Sequence, residues 1–167
     1  KKYGAEIVRF YLLSGISTYG DSAYKEDDLI NMYNSRLANN FGNLLNRVIH
    51  LGNTKEVEIN NLGEVDAHFK KEVDRYADAA RQLFDDFEIA LGSEKVDELA
   101  DFGNKYITRE EPWKKELPLE TTQKILNNLS YLLSVVIELY SPIIPFSAEK
   151  AKRALEQRES IILFSKI

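Results

Sequence analysis

The stretch ETTQKILNNLSYLLSVVIELY, residues 120–140, decides the fold class of this chain. Its large apolar residues recur three or four positions apart or in adjacent pairs, which is the spacing of an α-helix. Since they cover much of the helix circumference, we expect this helix at the centre of a bundle. Pro142 and Pro145 predict that it ends near Tyr140. The apolar residues are Ile125, Leu126, Leu129, Leu132, Leu133, Val136, Ile137 and Leu139.

Helical spacing continues on both sides of this segment. Further helices are predicted over residues 5–13, 25–51, 65–91, 94–107 and 148–158. Glycines and prolines mark the breaks between them. We interpret Gly92-Ser93 as the end of one helix followed by the N-cap of the next, and Ser147 as the N-cap of the last helix. The predicted fold is all-α, a bundle of about six helices in a single domain, residues 1–167.

Three segments are predicted to be non-helical. Residues 17–22 form a polar loop, and residues 52–63 form a linker or a short extended segment. The tail at residues 161–167 is apolar and extended in character. We expect this tail to pack against a part of the protein that is absent from the sequence.

Composition excludes several classes of protein. The chain has 167 residues, 44% of them hydrophobic, and no cysteine, so a disulfide scaffold, a thiolate zinc site and a cysteine nucleophile are excluded. Its net charge of −5 argues against a non-specific coat for DNA or membrane. The apolar runs are too short to span a bilayer, and no signal-peptide pattern opens the chain. We therefore expect neither DNA nor a membrane as a partner.

Motifs of self-sufficient catalysis are missing from the sequence. The phosphate-binding patterns GxGxxG and GxxxxGK[ST] do not occur, nor does GxSxG. Neither His50 nor His68 has a glutamate three residues before it, as the paired motifs of di-iron bundles require. We accordingly assign no catalytic residue and no metal ligand, although composition leaves a Ser/His/Asp set open.

One helix has a polar face without carboxylates. No acidic residue occurs between Asp28 and Glu56. At about 100° per residue, six polar residues lie opposite the apolar face of this helix. Amide, guanidinium and imidazole groups suit contacts with base edges and phosphates, but asparagines on a helix can also satisfy one another or the backbone. The six are Arg36, Asn39, Asn43, Asn46, Arg47 and His50.

A second polar cluster surrounds the only tryptophan. Trp113 follows Pro112 in a turn between two predicted helices. It is either a hydrophobic plug or a platform on which an unstacked base stacks, worth about 1–3 kcal/mol per base. Its polar and aromatic neighbours in sequence are Asn104, Lys105, Tyr106, Arg109, Lys114 and Lys115.

Several motifs in this order resemble those of methionyl-tRNA synthetases. LANNFGNLLNR at 37–47 resembles the family's LANxxGNLxNR helix, and NKYITREEPW at 104–113 resembles its NxYIxxxxPW element. YGAEIVRFYLL at 3–13 resembles the YGADAxRYYLL segment that follows the catalytic KMSKS loop. LYSPIIP at 139–145 and Leu163-Phe164 resemble the late LxPxxP and LFP elements. Related class I synthetases share the helical domain but not this combination.

The resemblance implies an α-helical anticodon-binding domain. It implies that Asn39, Asn43 and Arg47 face the bases of the CAU anticodon and that Trp113 stacks on the first base. Two departures from the family pattern are Asn39, where some members have arginine, and Ser165, which replaces the proline after Phe164. Further candidate contacts are Arg36, Asn46, His50, Lys105 and Arg109.

The resemblance also implies a larger parent enzyme. The family ligates methionine to tRNA(Met) with ATP and Mg in an upstream Rossmann domain whose HIGH and KMSKS signatures are absent from this sequence. We therefore expect a cytoplasmic, tRNA-binding part of a ligase that binds no cofactor itself and has its own catalytic domain as a partner. The alternatives are the corresponding domain of a leucyl or cysteinyl enzyme and a helical protein–protein scaffold. Binding to methionine tRNAs and exchange of the anticodon would separate them.

Overall fold

The computed structural model describes residues 3–16, 23–59 and 64–167. Within these residues it contains six helices and no strand, which confirms the predicted all-α bundle. None of these helices combines the length and the apolar character needed to cross a membrane. The predicted loop at 17–22 and residues 60–63 of the predicted linker lie outside the described residues. The helices are α1 (Ala5–Ser14), α2 (residues 26–55), α3 (Ala67–Asp85), α4 (Ile89–Glu110), α5 (Leu119–Tyr140) and α6 (Pro145–Gln157).

Helix α5 forms the centre of the bundle, as its apolar sequence predicted. It packs against α2, α3, α4 and α6, and most of its residues are buried. Helix α2 is continuous but changes character along its length. Its first and last sections are α-helical, and the middle section is π-helical. These sections are Glu26–Met32, Tyr33–Gly42 and Asn43–Lys55.

The break between α3 and α4 lies earlier than the sequence predicted. The chain turns at residues 86–88, where Phe87 has a φ of 61°, and α4 then continues without interruption through Gly92 and Ser93. Gly92 faces the ring of Phe84, and a Cβ on it would lie 2.4 Å from that ring. Ser93 is buried and accepts a hydrogen bond from Ser14 Oγ at 2.9 Å. The Gly-Ser pair therefore permits close helix packing, and its interpretation as a helix boundary was wrong.

Helix α6 begins at Pro145, two residues before Ser147, so the predicted N-cap was also wrong. Its N-cap residue is Ile144, and the free N–H groups of Phe146 and Ser147 donate to Glu6 Oε1 at 2.7 and 3.1 Å. A carboxylate from α1 thus takes the place of a local capping side chain. Arg9 of α1 donates to the carbonyls of Pro142 and Ile143. Helix α1 is therefore fixed to the turn between α5 and α6.

The C-terminal tail packs partly against this domain itself. The ring of Phe164 lies 5.9 Å, between centroids, from the rings of both Tyr33 and Phe41. Asn34 Nδ2 donates to the carbonyl of Ile167 at 2.9 Å, whereas Ile162 stays exposed. The prediction that the tail packs against an absent part was therefore wrong for Phe164, whose partners are aromatic residues of α2.

Candidate nucleic-acid interface

An open polar groove lies between α2 and α4. It brings together Asn39, Asn43 and Arg47 from α2 with Lys105 and Arg109 from α4. All five were singled out from the sequence as candidate RNA contacts. The two helices come from distant parts of the chain, so the groove exists only in the folded bundle.

The α2 side of the groove follows from the amphipathic sequence of that helix. Leu37, Phe41 and Leu44 are buried, and their burial turns the opposite face of the helix outward. Asn39 and Asn43 lie one turn apart on this face, and both are exposed. The Asn39 amide makes no hydrogen bond with the described part of the chain, so all of its donors and acceptors are available to a ligand.

A hydrogen-bond network connects the two sides of the groove. Asn43 Nδ2 donates to Asn104 Oδ1 at 3.1 Å, and Arg47 donates to the same oxygen at 3.3 Å and to Thr108 Oγ1 at 3.0 Å. Asn104 in turn donates to Asn40. The asparagines thus satisfy one another in part, as one interpretation of the sequence proposed. The network leaves the exposed parts of Asn43 and Arg47 facing the groove.

Arg47 is the cation at the centre of this network. Its partial burial lowers the pKa of the guanidinium below its ordinary value, but the group stays protonated at neutral pH. A guanidinium only donates hydrogen bonds, so Arg47 presents donors to any acceptor on a bound base or phosphate.

Trp113 lies beside the same groove. The guanidinium carbon of Arg47 is 5.8 Å from the centroid of the indole, and 48% of the tryptophan surface is exposed. The turn is held by the N–H of Lys114, which donates to Glu111 O at 3.0 Å, and by Lys55 of α2, which donates to Lys114 O at 3.1 Å. This exposure does not fit a hydrophobic plug and leaves ring surface available for stacking.

Arg36 does not belong to the groove, contrary to the helix-wheel prediction. Its guanidinium points into the bundle, where it forms an ion pair with Asp97 and donates to Ser14 O at 2.9 Å. Tyr140 Oη donates to the same carboxylate. Burial raises the pKa of Asp97 from 3.8 to about 6, although Arg36 and Tyr140 act in the opposite direction. Arg36 is turned inward because this buried acid is its partner.

The other candidates are distributed unevenly. Asn46 and His50 do not line the groove, and the His50 ring is exposed with Nε2 3.5 Å from Thr54 Oγ1. Lys105 and Arg109 line it, but each is paired with an acid of its own helix. Lys105 contacts Asp101 at 2.5 Å, and Arg109 contacts the adjacent glutamate at 2.8 Å. These two cations therefore add no net positive charge to this side of the groove.

Carboxylates also line the α4 side of the groove. Glu98 and Asp101 are among its lining residues, so the predicted absence of acids holds for residues 29–55 of α2 and is wrong for the groove as a whole. Within residues 3–16, 23–59 and 64–167, no three His, Cys, Asp or Glu side chains lie close enough to hold a metal ion.

Asn40 and Thr108 were not predicted to belong to the site, and Asn104 was named only among the neighbours of Trp113. The sequence does contain a pattern that indicates the α4 residues of this set. The polar residues of α4 at 97, 101, 104 and 108 are spaced by four, three and four positions. That spacing places them on one helix face. The pairing of this face with the polar face of α2 could be seen only in the folded structure.

Two protein-family models match the chain. The model described as the anticodon-binding domain of tRNA ligase matches residues 66–166, which is more than half of the chain. The chain belongs to this family. The model for class I (M) tRNA synthetases matches residues 1–49.

Relatives of the domain are methionine–tRNA ligases, as the sequence resemblance predicted. The enzyme of Borrelia turicatae is 31% identical over 150 residues, which cover 89% of this chain and 21% of that protein. A probable cytoplasmic methionine–tRNA ligase of Dictyostelium discoideum is 34% identical, over 83% of this chain and 20% of that protein. Methionyl-tRNA synthetase of Mycobacterium tuberculosis bound by methionyl-adenylate is similar in structure, with a TM-score of 0.74 and 25% identity over 88% of this chain and 31% of that one. The chain thus spans about a fifth of the length of these two curated relatives.

Proposed function

We propose that this domain, residues 1–167, recognises the CAU anticodon of tRNA(Met) as part of a methionine–tRNA ligase. The observation that carries the proposal is the position of the half-exposed Trp113 beside Arg47, which lines one groove together with the amides of Asn39 and Asn43. These groups offer several hydrogen-bonding groups within the groove and one stacking surface beside it. Single-stranded loops are recognised by that combination, because their bases can leave the stack and present their Watson–Crick edges.

Each group has a distinct part in the proposed complex. The indole of Trp113 stacks on the first anticodon base, a cytosine. The amides of Asn39 and Asn43 donate to and accept from base edges, whereas Arg47 donates to base acceptors or to a phosphate. A wrong base leaves a polar group of the protein unpaired, at a cost of about 1–3 kcal/mol.

The parent enzyme would join methionine to tRNA in a catalytic domain that uses ATP with Mg in the cytoplasm. The similarity to a synthetase that binds methionyl-adenylate supports this chemistry for the parent. Helix α1 is the candidate contact with that domain, since it leaves Val8 and Leu12 exposed although both are apolar. No catalytic role is proposed for the residues of this chain.

Binding of anticodon stem–loop RNAs tests the proposal. We expect an RNA with CAU to bind at least tenfold more tightly than one with an unrelated triplet, and we expect the affinity to fall with rising salt. Equal binding of all triplets would contradict anticodon recognition. A preference for a leucine or cysteine anticodon would indicate a related synthetase, and no binding would favour a protein scaffold.

A further inference from the structure

Asn104 of α4 makes hydrogen bonds in two directions. Its Nδ2 donates to the backbone carbonyl oxygens of Asn40 at 3.1 Å and Ala100 at 3.3 Å, and to the side-chain oxygen of Asn40 at 3.0 Å. Its Oδ1 accepts from Asn43 Nδ2 at 3.1 Å and from Arg47 at 3.3 Å. One amide therefore joins the interior side of the groove to two of its proposed base contacts.

The partners of Asn104 determine which way its amide faces. Backbone carbonyls only accept hydrogen bonds, so the amide nitrogen must lie toward Asn40 and Ala100. A guanidinium only donates, so the amide oxygen must lie toward Arg47. A rotation of the amide by half a turn would place oxygen against oxygen on one side and nitrogen against guanidinium on the other. The orientation is thus fixed from both sides.

This fixed oxygen in turn orients Asn43. The Asn43 amide must direct its nitrogen to Asn104 Oδ1, which leaves its own Oδ1 on the other side of the amide group. That oxygen accepts no hydrogen bond from the described part of the chain, and Asn43 is exposed in the groove. An unconstrained asparagine could exchange its donor and acceptor by rotation. Here the groove offers a fixed acceptor.

We propose that Asn104 is a positioning residue that makes Asn43 select a base with an exocyclic amino group at the first anticodon position. Cytosine has such a donor at N4, whereas uracil has an acceptor at the same place. We assign Asn43 to the first anticodon position for the following reason. Asn43 and Arg47 donate to the same oxygen of Asn104, and Arg47 lies 5.8 Å from the ring of Trp113. The inference rests on the proposed function, in which that ring stacks on the first base. Asn104 itself makes no contact with RNA in this proposal.

Three stem–loop RNAs test the acceptor with the unmodified chain. They have CAU, UAU, and CAU in which pyrimidin-2-one, a cytosine without its amino group, replaces the first base. We expect each of the last two to bind about tenfold more weakly than the first. If pyrimidin-2-one and cytosine bind equally while CAU is still preferred to an unrelated triplet, this inference is overturned and anticodon recognition stands. If no triplet is preferred, both are overturned.

Variants then separate positioning from a structural role. We expect the Asn104→Ala variant to bind the UAU and pyrimidin-2-one RNAs about as tightly as the unmodified chain does. Its affinity for the CAU RNA should fall until it is within about twofold of those two affinities. Asn43→Ala should have the same effect, and the double variant should lose no further preference, since Asn104 acts through Asn43. An equal loss of affinity for all three RNAs, with the preference for cytosine retained, would overturn the inference.

Two further variants complete the test. Asn104→Ser keeps a polar side chain, but it is too short to contact both Asn40 and Arg47. This variant should therefore also lose the preference for cytosine. It replaces the alanine variant in the test if that variant does not fold. Asn53→Ala removes another exposed asparagine of α2, whose amide donates to Arg158 O at 3.0 Å. This control should retain both the affinity and the preference for cytosine.

Discussion

Among single residues, Trp113 is the one whose replacement tests the RNA surface most directly. We predict that Trp113→Ala weakens binding of the CAU stem–loop about tenfold, because stacking of a base is worth about 1–3 kcal/mol. Since 48% of this side chain is exposed, the midpoint of thermal unfolding should change little. Binding is measured by fluorescence anisotropy and unfolding by circular dichroism.

The control for this variant is Phe146→Ala. Phe146 is an exposed aromatic residue at the start of α6 and does not line the groove. Its removal should leave RNA affinity unchanged. If both variants bind RNA as tightly as the unmodified chain, Trp113 is not a stacking platform.

A second prediction for a single residue concerns Asp97 and the way in which stability depends on pH. Burial raises its pKa in the folded state to about 6, above the value of 3.8 expected in the unfolded chain. The folded state therefore binds the proton more tightly, so this group contributes stability below about pH 4 that is lost as pH rises through 6. The change is about 3 kcal/mol at most.

The comparison with Asp97→Asn isolates this effect from other carboxylates. The free energy of unfolding is measured with urea for both proteins between pH 4 and pH 7. As the pH rises, the value for the unmodified chain should fall relative to the value for the variant. The groups near the carboxylate are Arg36, Tyr140 and Glu94, and they are present in both proteins. Parallel curves for the two proteins would mean that Asp97 titrates normally.

The sequence predicted the outward-facing residues of the site better than their inward partners. Asn39, Asn43 and Arg47 follow from the helical period of α2, because the apolar residues determine which face is buried. Arg36 lies on the same polar face by helical spacing, but its side chain turns inward because it pairs with Asp97. That partner is 61 positions away in sequence. A helix wheel contains no information about such a partner. For the same reason it could not place Asn104.

Among the helices, the close approach of α3 and α4 depends on Gly92. We predict that Gly92→Ala destabilises the fold by about 1–3 kcal/mol, because the new Cβ would lie 2.4 Å from the ring of Phe84. In an open helix interior the same change would stabilise by about 0.5–1 kcal/mol. The sign of the change in the free energy of unfolding therefore tests the packing directly.

A double variant provides the control for this prediction. Phe84→Ala removes the ring, so Gly92→Ala introduced into that variant should be neutral or stabilising. Destabilisation of the same size in both backgrounds would mean that the contact with Phe84 is not the cause.

The errors in the predicted helices have one physical origin. A glycine is required both where a helix ends and where two helices come close, and the local sequence around Gly92 does not distinguish these uses. Likewise, Ser147 has the side chain of an N-cap, but Glu6 of α1 takes that function from a distant part of the chain. The long apolar helix α5 was predicted closely because its burial depends on its own residues.

For the whole molecule, the net charge of −5 opposes the binding of RNA, and the acids that line the groove are the ones nearest to the proposed RNA site. We predict that Asp101→Asn increases affinity for the CAU stem–loop about threefold at low ionic strength. Two unit charges about 7 Å apart in water interact by about 0.6 kcal/mol, which corresponds to that factor. The preference among triplets should not change, since no base contact is altered.

A matched variant distinguishes this local effect from one of total charge. Glu120→Gln makes the same change in net charge, and Glu120 pairs with Lys124 one turn later, as Asp101 pairs with Lys105. Because Glu120 does not line the groove, its replacement should alter RNA affinity less than that of Asp101. Titrations in increasing salt should remove the difference, since the screening length falls to about 3 Å at 1 M. Equal gains from both variants would mean that the charge of the whole molecule, and not the acids of the groove, limits binding.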